Sequence, residues 1–128
     1  MTQSLDRLLA RRDFLRVAKG LRRGTHGLVL QLSDNPDPDQ HHKIRYGLTA
    51  TRKIGGAVIR NRARRRLRAL AHEILPKLGR QGMDYVLIAR LESNNRNFAE
   101  LRQDLSYALR KLHSEWDEKL QMLQAENN

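Results

Sequence analysis

Eight cations and no acid stand in the seventeen residues 52–68, RKIGGAVIRNRARRRLR. The clearing is wider than the run: between Asp39 and Glu73 no Asp or Glu appears. Arginine's planar fork donates paired hydrogen bonds to phosphate oxygens. An Asn such as Asn61, set among the arginines, both donates and accepts at a base edge or ribose. Concentrated like charge does not stabilise a lone fold, and a phosphodiester polyanion offsets the repulsion. The chemistry offered is recognition of nucleic acid. The bland alternative is a solvated charged face, but such faces normally interleave Lys with Glu, and here the acids are missing.

The other reactive side chains assemble into nothing comparable. His41 and His42 are adjacent in a loop beside Asp37 and Asp39, with no H-x-x-x-H spacing, and read as surface residues. His72 and His113 fall in helical segments and read as packing or surface positions. Glu73, Asp84, Glu92 and Glu100 do not form a two-metal carboxylate pattern, and no Ser or Thr sits in a nucleophile motif. Catalysis by this chain alone is not expected, nor is a metal site. Tyr46, on an alternating segment, is expected in the core; for Phe14, core and base stacking both stay open.

Composition sets the frame. The chain has 128 residues, 25 Lys and Arg against 14 Asp and Glu, a net charge of +11 and no cysteine. That is one domain with a modest core, expected to be ordered over about residues 8–115 with a fraying tail. Nucleic acid is the first partner class, ahead of an anionic membrane surface or an acidic protein. No apolar run approaches a membrane span. The first twelve residues lack a signal peptide's apolar segment. A cytoplasmic protein is expected, with no membrane role and no obligate protein partner.

The cations need a scaffold. From Ile59 the apolar residues Ile59, Ala63, Leu67, Leu70, Ile74 and Leu78 recur every three or four positions, which predicts a helix. That stripe faces the core and leaves Arg60, Arg64 and Arg68 as an i, i+4 ridge, with Asn61 and Arg65 beside it. Residues 4–20 read as a short amphipathic helix, and residues 25–33 and 44–51 as alternating strands joined by a Pro- and Asp-rich loop, suggesting an antiparallel pair. Residues 84–90 form an apolar strand. Strand, helix, strand makes the second and third strands parallel, with the basic helix as crossover. Residues 98–123 predict a long helix with Phe98, Leu101, Leu105, Ala108, Leu112 and Trp116 inward, Asn97 as N-cap and Glu100 completing a capping box. The fold class is α+β: helices over a small mixed sheet.

Residues 53–68, KIGGAVIRNRARRRLR, closely resemble the signature of the bacterial ribonuclease P protein subunit, K-x-G-x-A-V-x-R-N-R-x-K/R-R-x-x-R. Residues 12–17 (RDFLRV), 46–53 (YGLTATRK), 84–90 (DYVLIAR) and 98–101 (FAEL) are similar to further blocks of that family, in order and spacing. The resemblance spans roughly residues 8–112. It implies an α-β-β-(β)-α-β-α sandwich with a left-handed βαβ crossover at the basic helix. It implies a subunit of a ribonucleoprotein endoribonuclease that removes the 5′ leader of precursor tRNA. The catalytic centre, and the Mg²⁺, would be held mainly by the RNA.

On the same resemblance, Arg52, Lys53, Arg60, Asn61, Arg62, Arg64, Arg65 and Arg68 would contact the catalytic RNA. Phe14 and Val17 would line a cleft for the single-stranded leader, with Arg90 near it. The chain departs from the family at Ala18 and in residues 27–30, where aromatics are frequent, so leader binding would lean on charge. Ala69 replaces a frequent Glu and Arg66 a frequent apolar residue, which raises the local positive charge. Read from the residues alone, a structural ribosomal or architectural RNA-binding protein remains an alternative. So do a DNA-binding protein laying the Arg helix in a major groove and, against the carboxylate pattern, a protein-only nuclease.

Overall fold

The computed structural model describes residues 5–127. The chain runs β1 (Leu5–Arg7), α1 (Arg11–Ala18), β2 (Leu21–Gly24), β3 (Leu28–Asp34), β4 (Ile44–Thr49), α2 (Ala57–Leu78), β5 (Met83–Ala89) and α3 (Phe98–Glu126). Five strands form one mixed sheet in the order β1-β4-β5-β3-β2. β5 lies at its centre, parallel to β4 and antiparallel to β3. Its sequence, MDYVLIA, is almost continuously apolar, as a strand covered on both faces must be.

One face of the sheet carries Leu28, Leu30, Leu32, Ile44, Tyr46, Tyr85 and Leu87, all buried against α2 and α3. Tyr46 and Tyr85 are register partners on adjacent strands, and each hydroxyl meets a histidine on a covering helix. Tyr46 bonds His72 of α2 at 2.9 Å, and Tyr85 bonds His113 of α3 at 2.7 Å. Both histidines thus tie a helix to the sheet. Tyr46 takes the core position its alternation predicts. Burial and the neighbouring Arg80 charge lower the His113 pKa to about 4, so it is neutral in the fold. The Asn97–Glu100 capping box opens α3 as the sequence predicts.

The opposite face is covered by α1. Val17, Leu8 and Val86 form a small second core, with Phe14 and Ile88 packed against it. The polar end of this face is organised by Asp84, which is completely buried and grips Arg45 and Arg16.

Several expectations need correction. The helix predicted over residues 4–20 begins only at Arg11; Ser4 lies outside the described residues. Leu5–Arg7 is instead an edge strand paired in parallel with β4, and the ladder is extended by Leu8 N–H donating to Tyr46 C=O at 2.8 Å. The strand predicted over residues 25–33 is β3, and a strand the reading did not include, β2, precedes it at Leu21–Gly24 and pairs with it as a hairpin. β3 and β4 are not neighbours, because β5, the most apolar strand, takes the place between them. Ile59 and Leu78 are 47% and 44% exposed, whereas Ala71 and Leu75 are buried, so the inward stripe of α2 is rotated at both ends from the one predicted. α3 reaches Glu126, beyond the expected residue 123.

Candidate nucleic-acid interface

The acid-free segment becomes a 3-10 turn at Arg52–Ile54 followed by α2. Gly55 joins them at φ 143°, where a side chain is disfavoured, and a Cβ would lie 2.7 Å from Ile59 Cδ1. The turn sets Arg52 and Lys53, both exposed, at the start of the basic helix. Gly56 caps α2 without a side-chain hydrogen bond, and the first turn holds no acid. The first N–H groups of a 22-residue helix, and the positive end of its dipole, are thereby left to an anion.

Along α2, Ala63 and Leu67 are fully buried and fix the rotation of the helix. Asn61, Arg62 and Arg65 are exposed; Arg60, Arg64 and Arg68 are half-buried. Arg64 donates to Asn61 Oδ1 at 3.0 Å and to the Ala50 carbonyl at 3.3 Å, which sets the Asn amide beside a guanidinium. Arg60 and Arg68 bury their Nε atoms without a partner. Among the described residues, none of Arg52, Lys53, Arg60, Arg62, Arg64, Arg65 and Arg68 has a carboxylate within ion-pair distance.

Ion pairs are found elsewhere in the molecule. Arg16 and Arg45 pair with Asp84, Arg23 with Glu115, Arg80 with Asp117, Arg96 with Asp104 and Glu100, Arg102 with Glu73, and Lys43 with Asp6. Among the described residues, every Lys or Arg that meets a carboxylate lies outside residues 52–68.

Arg66 does not belong to that face in the way its sequence position suggests. Its guanidinium donates to the carbonyls of Ser93 and, at 2.6 Å, Arg96, holding the segment between β5 and α3 against α2. Burial lowers its pKa from the usual value, and the neighbouring Arg62 charge lowers it further. It is a structural arginine, and the added charge expected from it is directed inward.

The residues expected at a leader cleft are divided. Phe14 lies on Gly47 of β4, close enough that a Cβ there would sit 2.5 Å from Phe14 Cε1. Val17 has no exposed surface and supports the α1 side from beneath. Arg90 is exposed, donates to Thr25 C=O at 2.7 Å, and lines a hollow of about 430 Å³ with Lys53, Ile54, His26, Leu91 and Glu92. It thus joins Lys53 beside α2. Sequence reasoning missed the exposed apolar residues Val58, Ile59 and Leu91 next to the cations. Two of them lie inside the quoted motif, but exposure cannot be read from residue type. Among the described residues, no group of three or more His, Asp or Glu is placed to hold a metal, and no helix is long and apolar enough to cross a membrane.

A small α+β domain with one uncompensated guanidinium face, mounted on a helix anchored in the core, is by class an RNA-binding domain. The comparisons with known proteins agree on which kind. The family model described as Ribonuclease P matches residues 3–113. The Ribonuclease P protein component of Ruegeria pomeroyi is 45% identical over 108 residues, covering 84% of this chain and 86% of that protein. That of Paramagnetospirillum magneticum is 44% identical over 115 residues, covering 88% and 86%. Among solved structures, the RNase P protein from Thermotoga maritima superposes with a TM-score of 0.64 at 28% identity, over 84% of this chain and 94% of that one. The chain belongs to the ribonuclease P protein family. It is the protein subunit of a ribonucleoprotein endoribonuclease that acts in 5′ maturation of tRNA.

Proposed function

We propose that the α2 ridge, with Arg52 and Lys53, docks onto the catalytic RNA of ribonuclease P, and that the α1-covered face of the sheet receives the 5′ leader of precursor tRNA. The observation that carries this is the acid-free run itself: among the described residues none of the cations from Arg52 to Arg68 meets a carboxylate, whereas Arg16, Arg45, Arg80, Arg96 and Arg102 each do. Arg60, Asn61, Arg62, Arg64, Arg65 and Arg68 contact phosphate and ribose; Arg66 positions the neighbouring loop. Phe14 and the charged residues around α1 attend the leader, with Val17 shaping the surface under them. By neutralising phosphates the protein lowers the repulsion between leader and catalytic RNA.

Its own side chains do not fit Mg²⁺, since apart from Asn61 the ridge offers only cations and, among the described residues, no carboxylate cluster accompanies it. The ion's ligands come mainly from RNA. The protein works in the cytoplasm, needs no obligate protein partner, and lowers the Mg²⁺ concentration at which the RNA cleaves. An architectural RNA-binding role is disfavoured by the family.

Reconstitution tests the reading. The protein added to the catalytic RNA at low Mg²⁺ should restore release of the leader, and the assembled enzyme should bind precursor tRNA more tightly than tRNA lacking a leader. Equal affinity for the two would remove the leader role; no gain in cleavage would remove the subunit role.

A further inference from the structure

Val58, Leu91 and Ile59 are 82%, 65% and 47% exposed, and they cluster where the first turn of α2 faces the segment after β5. Two hollows meet there. One, of about 430 Å³, is the hollow that holds Lys53 and Arg90; the other, of about 490 Å³, is lined by Val58, Ile59, Arg62 and Asn94. Ile54, Leu91 and Glu92 line both. The result is an apolar floor with cations around it and a single acid, Glu92. Asn94 donates its amide N–H to the Ile59 carbonyl at 3.1 Å, which ties the segment after β5 to α2.

Exposed apolar surface beside a guanidinium ridge gains nothing from a regular duplex, whose bases are stacked inside and whose outer surface is phosphate and sugar. An unpaired nucleotide matches both parts: its base covers the floor, and its phosphates meet the rim. We propose that this double hollow is a binding site for an unstacked nucleotide of the catalytic RNA. The base lies on Val58, Ile59 and Leu91, and the flanking phosphates are held by Lys53, Arg62 and Arg90. Glu92 is an acceptor for an exocyclic amino group, which favours a base that carries one. An apolar protein segment would also cover the floor, but the cationic rim and its continuity with the ridge select RNA. The inference rests on the ridge docking to RNA, and its test separates the two.

Apolar and ionic contributions respond differently to salt. Phosphate contacts set the log–log slope of affinity, and base stacking sets affinity at fixed slope. The double variant Val58→Ala, Leu91→Ala changes exposed side chains and should leave thermal unfolding unchanged. Binding of the full-length protein to the catalytic RNA should weaken about tenfold or more at every salt concentration, with the slope retained. Arg62→Ala should instead reduce the slope by about 1. Wild-type affinity in the apolar variant would overturn the nucleotide site while leaving the ridge untouched, whereas an unchanged slope in a ridge variant would count against the ridge itself. A photoreactive amino acid at position 91 gives a second measurement. Crosslinks to an unpaired nucleotide support the site; crosslinks confined to paired nucleotides, or to a protein in the assembled enzyme, reject it.

Discussion

Arg45 grips Asp84 through two parallel hydrogen bonds, Nε to Oδ1 at 2.8 Å and Nη2 to Oδ2 at 2.6 Å, where Asp84 has no exposed surface. Arg16 of α1 binds the same carboxylate, and its Nη2 also meets Asp13 at 3.2 Å. The hydrogen bond from Asp84 is the main reason the Arg45 pKa is raised. One carboxylate therefore joins β4, β5 and α1. Removing one partner of a buried pair leaves an uncompensated charge, which costs about 3–5 kcal/mol. Asp84→Ala should lower unfolding stability by that order in urea titrations, and α1 should become the first element to lose amide-exchange protection. Unaltered stability would show that the pair is not needed to fasten α1.

Phe14 rests on Gly47 with no room for a methyl group between them. Gly47→Ala must displace the ring, at about 1–3 kcal/mol. Because Phe14 stands on the side proposed for the leader, the same change should erode the preference of the assembled enzyme for leader-bearing precursor tRNA over mature tRNA. Phe14→Leu combined with Gly47→Ala should recover stability without recovering the preference. Denaturation and paired binding measurements decide it.

The arginines of α2 should divide by partner. Arg60→Ala, Arg64→Ala and Arg68→Ala together remove no ion pair, so stability should change little. The salt slope of RNA binding should fall by about 2–3, from an expected value near −4 to −5 for about six phosphates. Arg66→Ala strips two carbonyls of their donor. It should cost about 1–3 kcal/mol of stability and leave the slope nearly unaltered. A calorimetric melt and a binding isotherm at several salt concentrations separate the classes.

His113 makes stability depend on pH in a predictable direction. Burial holds its folded pKa down at about 4, against an ordinary value of 6.5. Between those values the unfolded chain takes up a proton that the folded chain refuses. The contribution is therefore complete above pH 6.5, declines as pH falls, and is lost by about pH 4. Protonation would also replace the acceptor facing the Tyr85 hydroxyl with a second donor. Urea midpoints measured from pH 7 down to pH 4 should decline for the native chain and decline less for His113→Gln.

The parts legible in the sequence were those with local causes. α2 and α3 announce themselves by spacing, the α3 N-terminus by Asn97 and Glu100, and the parallel β4–β5 pair by the helix between them. β1 was hidden because three residues, Leu5, Asp6 and Arg7, carry no alternation long enough to read; only pairing with Ile44, Arg45 and Tyr46 makes them a strand. The false β3–β4 pairing came from reading the loop over residues 33–42 as a connection between neighbouring strands. The unbroken apolar run of β5 was the signal that it would lie between them. At the interface, the ridge followed from helical phase. The inward turn of Arg66 depended on two carbonyls roughly thirty residues away, and the exposure of Leu91 on how the segment after β5 folds back. Neither leaves a local mark.

The one-sided allotment of acids gives dissolved salt two opposing effects. In the free protein, small ions calm the crowd of unpartnered guanidinium groups and should raise the melting temperature. In the ribonucleoprotein, the same ions compete for the phosphates those groups hold and should hasten its dissociation. Conditions that best preserve the purified subunit are then the ones least suited to keeping it in its enzyme.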